Sequence, residues 1–108
     1  MSTFNITKRA FAREHLVVSS TVKTLTASVY EDHTNANGKA SAAKIIVEAQ
    51  PIRYTEEGTD PVITGGSEVG TPAVADTVIY LDSYEAIQKF KALRNTGTDA
   101  HIEVVYYR

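Results

Sequence analysis

The sequence contains no cysteine, no tryptophan and only three prolines. Without cysteine there is no disulfide framework and no thiolate metal site. No apolar run approaches the roughly 20 residues of a membrane-spanning helix. The N-terminal stretch MSTFNITKRAFAREH lacks the continuous apolar core of a secretory signal and is not expected to act as one. Neither charge dominates: eleven Lys and Arg against thirteen Asp and Glu give a net charge of −2. That balance argues against a basic groove for nucleic acid. Familiar catalytic motifs are missing as well. There is no G-x-S-x-G and no HExxH, and GGSEVG has no following Lys-Ser or Lys-Thr to cradle phosphate. His15, His33 and His101 lie far apart with no ligand spacing, so each is expected at the surface or half-buried rather than on a metal. Asn5-Ile6-Thr7 matches a glycosylation triplet, which means little without a secretory signal.

What is present is the composition of one globular domain. The chain has 108 residues, 43% of them hydrophobic and 22% charged, enough for a single core. The apolar pattern is mainly that of strands. In TVKTLTASVY, β-branched residues alternate so that Leu25, Ala27 and Val29 face inward on one strand. KIIVEAQ places Ile45, Val47 and Ala49 on one side, and Pro51 breaks the ladder before Ile52 and Tyr54 resume. TVIYLDS sets Val78 and Tyr80 opposite Ile79 and Leu81, and HIEVVYYR alternates Ile102, Val104 and Tyr106 with His101, Glu103, Val105 and Tyr107. One helix is expected over residues 83–94. Ser83 can cap it, Glu85 sits in its first turn, and Ala86, Phe90 and Leu93 share a face. Asn37-Gly38 centres an exposed polar loop. The expected core is Leu25, Val29, Ile45, Val47, Ile52, Ile79, Leu81, Phe90, Ile102 and Val104. Six or seven short strands and one short helix make a mostly β fold, a single-domain antiparallel β-sandwich of immunoglobulin-like or jelly-roll-like type.

The stretch PIRYTEEGTDPVITGG is the best place to look for catalytic acids, because Glu56, Glu57 and Asp60 crowd into it. Its other residues describe a bend. Gly58 allows positive φ, Pro61 fixes the return leg and Gly65-Gly66 closes it. A retaining glycosidase needs two carboxylates about 5 Å apart across a cleft, and a small sandwich offers little cleft. These acids are expected to shape a turn, with no catalytic, metal or cofactor role.

Residues 1–14 show no clean period and form an expected arm, or a short helix around Arg9 to Glu14, ahead of a sandwich at 15–108. Phe4, Ile6 and Phe11 are apolar, and Lys8, Arg9 and Arg13 are basic. Ordering such a segment costs roughly 1–2 kcal/mol per residue. Burial against a neighbouring chain would offset that, which makes these six residues candidate partner contacts. The alternative is that the arm is the first strand of its own sandwich.

Several short motifs then recur in a set order: Leu25-Thr26-Ala27, Val47-Glu48 with Pro51 to Tyr54, Gly58 with Pro61, Phe90 to Arg94, and Asp99 to Arg108. In this order they resemble small virion proteins of tailed bacteriophages, over about residues 22–108. The chain departs from that pattern at the Glu57-Gly58 turn, at Val62 and in the longer loop Gly65 to Asp76. The resemblance implies a non-enzymatic structural protein of the virion. It would decorate or reinforce the capsid by contacts with the major capsid protein or other virion proteins, as a homo-oligomer, without nucleic acid or membrane. A tail or head-tail connector component is the alternative position. The Tyr54-Thr55 to Pro61 turn is also similar to immunoglobulin-like modules of sugar-processing enzymes. This keeps a carbohydrate-binding β-sandwich open, with Tyr30, Tyr54, Tyr84 and Tyr107 as stacking candidates.

Overall fold

A computed structural model describes residues 8–31 and 38–108 of the chain. In chain order the elements are β1 (Ala10–Val18), β2 (Lys23–Thr24), α1 (Ala27–Tyr30), β3 (Ala42–Glu48), β4 (Ile52–Thr55), β5 (Thr71–Ala73), β6 (Val78–Leu81), α2 (Tyr84–Lys89), β7 (Lys91–Arg94) and β8 (Ala100–Tyr107). The strands form two antiparallel four-stranded sheets, ordered β1-β8-β3-β6 and β2-β7-β4-β5. Inward residues of both sheets join one hydrophobic cluster. The mostly β, antiparallel, sandwich-like architecture expected from the alternating pattern is therefore observed.

Register explains the core. In the first sheet, Ile102 lies between Leu16 and Val47, Val104 between Glu14 and Ile45, and Tyr106 between Ala12 and Ala43. Ile79 and Leu81 extend the last two rows, opposite Ile45 and Ala43. Ile45, Val47, Ile102, Val104 and Tyr106 are fully buried. Burying each such side chain contributes about 1.5–3 kcal/mol relative to exposure, and the period of two places all of them on one face. Nine of the ten expected core residues are buried; Val29 is half-buried and packs against the cluster.

Three local expectations fail for identifiable reasons. The strand expected through Tyr30 shrinks to β2, and Ala27–Tyr30 forms a helical turn. This turn exposes Ala27 and swings Tyr30 into the core, 5.8 Å from the Tyr106 ring. The second is the helix expected to run to residue 94, which stops at Lys89. Phe90 adopts extended angles (φ −62, ψ 131), and Lys91–Arg94 becomes a strand paired on both sides, with β2 and β4. Two ladders of hydrogen bonds outweigh a weak helical preference. Finally, Ala49 is exposed at φ 70, because β3 ends at Glu48 and the chain bends before Pro51.

The N-terminal segment divides. Residues Ala10 to Glu14 belong to β1, which pairs with β8 from Ala10↔Tyr107 to Val18↔Ala100. The strand replaces the short helix considered for Arg9 to Glu14, and the sandwich begins before residue 15. Phe4 and Ile6 lie outside the described residues.

Candidate functional site

The acidic stretch behaves as a bend. The Thr55 hydroxyl donates to the Thr59 carbonyl, and Gly58 sits at φ 96. Val62 and Val69 form a two-way backbone bridge around the Gly65-Gly66 tip. The loop returns at Gly70 (φ 112), which packs against β4: an added Cβ there would lie 2.8 Å from the Tyr54 carbonyl oxygen. Asp60 pairs with Lys91 at 2.7 Å. Glu56 and Glu57 line a shallow open hollow with Ser83, Glu85, Ala86 and Lys89. Partial burial, with Asp82 and Glu57 nearby, raises the pKa of Glu56, whereas a hydrogen bond from Thr59 lowers that of Glu57. Both carboxylates are exposed, and the hollow they line is open to solvent. The double variant Glu56→Ala, Glu57→Ala should shift the melting midpoint by no more than about 3 °C. A larger loss in a calorimetric scan would show that the bend depends on these acids.

Lys8, Arg9, Phe11 and Arg13 of the expected arm are engaged within the chain. Lys8 Nζ donates to Ser41 Oγ at 2.8 Å, and Arg9 exchanges two backbone hydrogen bonds with Arg108, each 3.0 Å. Phe11 is half-buried beneath the Arg108 guanidinium, 4.2 Å from its ring centre. Arg13 pairs with Glu103 at 3.3 Å. These contacts staple β1 to β8, whatever else the segment binds.

The proposed sugar-stacking tyrosines are not an exposed platform. Tyr30 is buried and Tyr54 stacks on Phe90 at 5.7 Å. Tyr84 donates its hydroxyl to Glu31, which holds its pKa up at about 12. Among the described residues the exposed aromatic is Tyr80 on β6, which sequence reasoning did not single out. Val78 shares its outward face on β6, and Val74 in the preceding loop is exposed as well: the three are 67%, 42% and 55% exposed in the order Val74, Val78, Tyr80. Among the described residues β6 is the outermost strand of its sheet. The alternation placing Ile79 and Leu81 inward also sends Val78 and Tyr80 outward, so this exposed face was readable once β6 was placed at the edge of its sheet.

His15 is exposed and His101 half-buried, as expected, but the fold brings together two residues that lie far apart in the sequence. His15 on β1 and His101 on β8 meet on the outer face of the first sheet, with His15 Nε2 3.2 Å from His101 Nδ1. Glu103 Oε1 stands 3.1 Å and Glu48 Oε1 3.7 Å from His15 Nδ1. The signal was long-range: His15 pairs with Glu103, and Val17 with His101, only through the antiparallel register of the first and last strands. His33 lies outside the described residues. Among the described residues, no group of three or more His, Asp or Glu side chains is arranged to hold a metal, and no helix is long and apolar enough to cross a membrane. No family model, no curated protein and no solved structure matches the chain.

Proposed function

We propose that the chain is a non-enzymatic structural protein of a tailed bacteriophage particle, decorating or reinforcing the capsid through protein-protein contacts. The observation that carries the binding part of this reading is the exposed outward pair Val78 and Tyr80 on β6, the outermost strand of its sheet among the described residues. An outer strand offers backbone donors and acceptors to a neighbouring chain, and exposed apolar side chains beside it favour burial there. The particle itself rests on the sequence resemblance. A shallow surface supports binding over catalysis. A tail or connector position uses the same edge. Sugar stacking is the weaker reading, because Tyr30 is buried and Tyr54 is partly buried and stacked on Phe90.

The test is the double variant Val78→Asp, Tyr80→Lys, mixed with particles of the encoding phage that lack this protein. Wild type should co-sediment with the particles and appear among their proteins by mass spectrometry. The variant should keep its circular dichroism spectrum but lose co-sedimentation. Absence of the wild-type protein from purified particles would overturn the virion reading, and undiminished binding of the variant would overturn the role of the β6 edge. The number of copies per particle separates a capsid-wide position from a single connector ring.

A further inference from the structure

We propose that His15 and His101 form a two-ligand site for a divalent transition metal of the zinc or copper type on the outer face of the β1-β8 sheet. The site goes beyond the structural role, and it uses a different surface from the β6 edge.

The ring positions fit this chemistry. Two nitrogens bound at about 2.1 Å to a tetrahedral centre stand about 3.4 Å apart. His15 Nε2 and His101 Nδ1 are 3.2 Å apart, and the two rings are tilted by 35° with centres separated by 5.2 Å. A shift of a few tenths of an ångström admits the ion between them, within reach of small side-chain rotations. Both residues stand on strands rather than loops, and β8 is held on both sides, by β1 and β3. The sheet therefore fixes the spacing before any ion arrives, which lowers the cost of assembling the site.

The surroundings also select the right atom. Glu103 is ion-paired to Arg13 and can only accept from His15 Nδ1, so that nitrogen carries the proton. In the neutral ring Nε2 is then the bare nitrogen, and it points at His101. A carboxylate behind a histidine in this way orients the ring and raises its basicity toward a metal. Glu48 adds a second negative charge from β3, beside the same nitrogen. Arg13 is the cation paired with this cluster among the described residues, so two carboxylates against one guanidinium still favour a positive ligand. When the ion binds, the proton of neutral His101 sits on its far nitrogen, Nε2, and the direct His-His hydrogen bond is given up. Imidazole donors favour zinc, copper and nickel over magnesium or calcium, which prefer oxygen. With two protein ligands, water or a side chain of a neighbouring molecule completes the shell.

The experiment is an isothermal titration of the untagged full-length chain with zinc chloride, repeated with copper(II) and with magnesium. One zinc per chain is expected, tighter binding of copper, and none of magnesium at the same concentration. His15→Ala and His101→Ala should each weaken zinc at least tenfold, and Glu103→Gln by about tenfold. His33→Ala should leave binding unchanged. All the substituted side chains of the pair are at or near the surface, and circular dichroism checks that each variant folds. Nitrogen-15 spectra should show zinc shifting His15 Nε2 and His101 Nδ1 in the wild type. No zinc binding at millimolar metal would overturn the proposal, as would binding that survives in both His15→Ala and His101→Ala or that is lost in His33→Ala.

Discussion

Replacing Phe90 with alanine should destabilise the protein by about 3–5 kcal/mol, the usual range for deleting a buried phenylalanine ring. Phe90 is fully buried where α2 gives way to β7, and it stacks on Tyr54 with an interplanar angle of 25°. Ile87, also fully buried, packs into the same cluster from one turn earlier. The lost ring therefore leaves a void between the helix and the second sheet, where two backbone ladders limit collapse. Small domains hold only about 5–15 kcal/mol in total. A domain of this size loses about 4–8 °C per kcal/mol, so the melting midpoint should fall by more than about 12 °C. Phe90→Leu keeps most of the apolar volume and should recover over half of the loss. A Phe90→Ala melt coincident with wild type would remove Phe90 from the core.

Phe90 also shows which parts of the fold the sequence disclosed. Its burial follows from apolar spacing that a helix and a strand both satisfy, so it was identified as core while its backbone was misassigned. Ser83 was a correct cap because capping is local: its Oγ accepts from the Ala86 N–H at 3.1 Å. The end of α2 was hidden because Lys91–Arg94 becomes a strand only through β2 and β4, partners distant in sequence. Tyr30 was hidden for the same reason: β-branched neighbours favour a strand, but contact with Tyr106 favours a turn. The acidic bend was legible because glycine and proline act within a few residues. The His15-His101 pair was not, because no motif relates positions 86 residues apart. Outward alternation of His15 on β1, and of His101 and Glu103 on β8, could have suggested it once the terminal strands were paired.

The pairing of those terminal strands supports the second large effect: deletion of residues 1–14 should abolish cooperative folding. The deletion removes Ala10 to Glu14 from β1 and strips the β1-side ladder from Val104 through Tyr107, leaving β8 paired there on its β3 side alone. It also removes the Glu14 carboxylate, which accepts from the Tyr106 hydroxyl and, at 3.1 Å, from the Thr26 N–H. Tyr106 is fully buried, and an orphaned buried donor alone costs about 1–3 kcal/mol. A folded, cooperatively melting product would show instead that the segment acts only as a tether to other chains. Alkaline titration probes the same contact in the intact protein. Burial, then the bond to Glu14, raises the Tyr106 pKa above its ordinary value near 10. The folded state therefore keeps a proton that the unfolded state releases above pH 10. The contribution is complete below pH 10, and above it Tyr106 alone lowers stability by about 1.4 kcal/mol per pH unit until the folded group ionises. Tyr30 and Tyr54, whose pKa values burial also raises, act in the same direction. Urea midpoints measured at pH 8, 10 and 11 should fall steeply across the last interval in wild type and less steeply in Tyr106→Phe. Equal slopes in the two proteins would mean that burial and Glu14 do not hold the Tyr106 proton in the folded state.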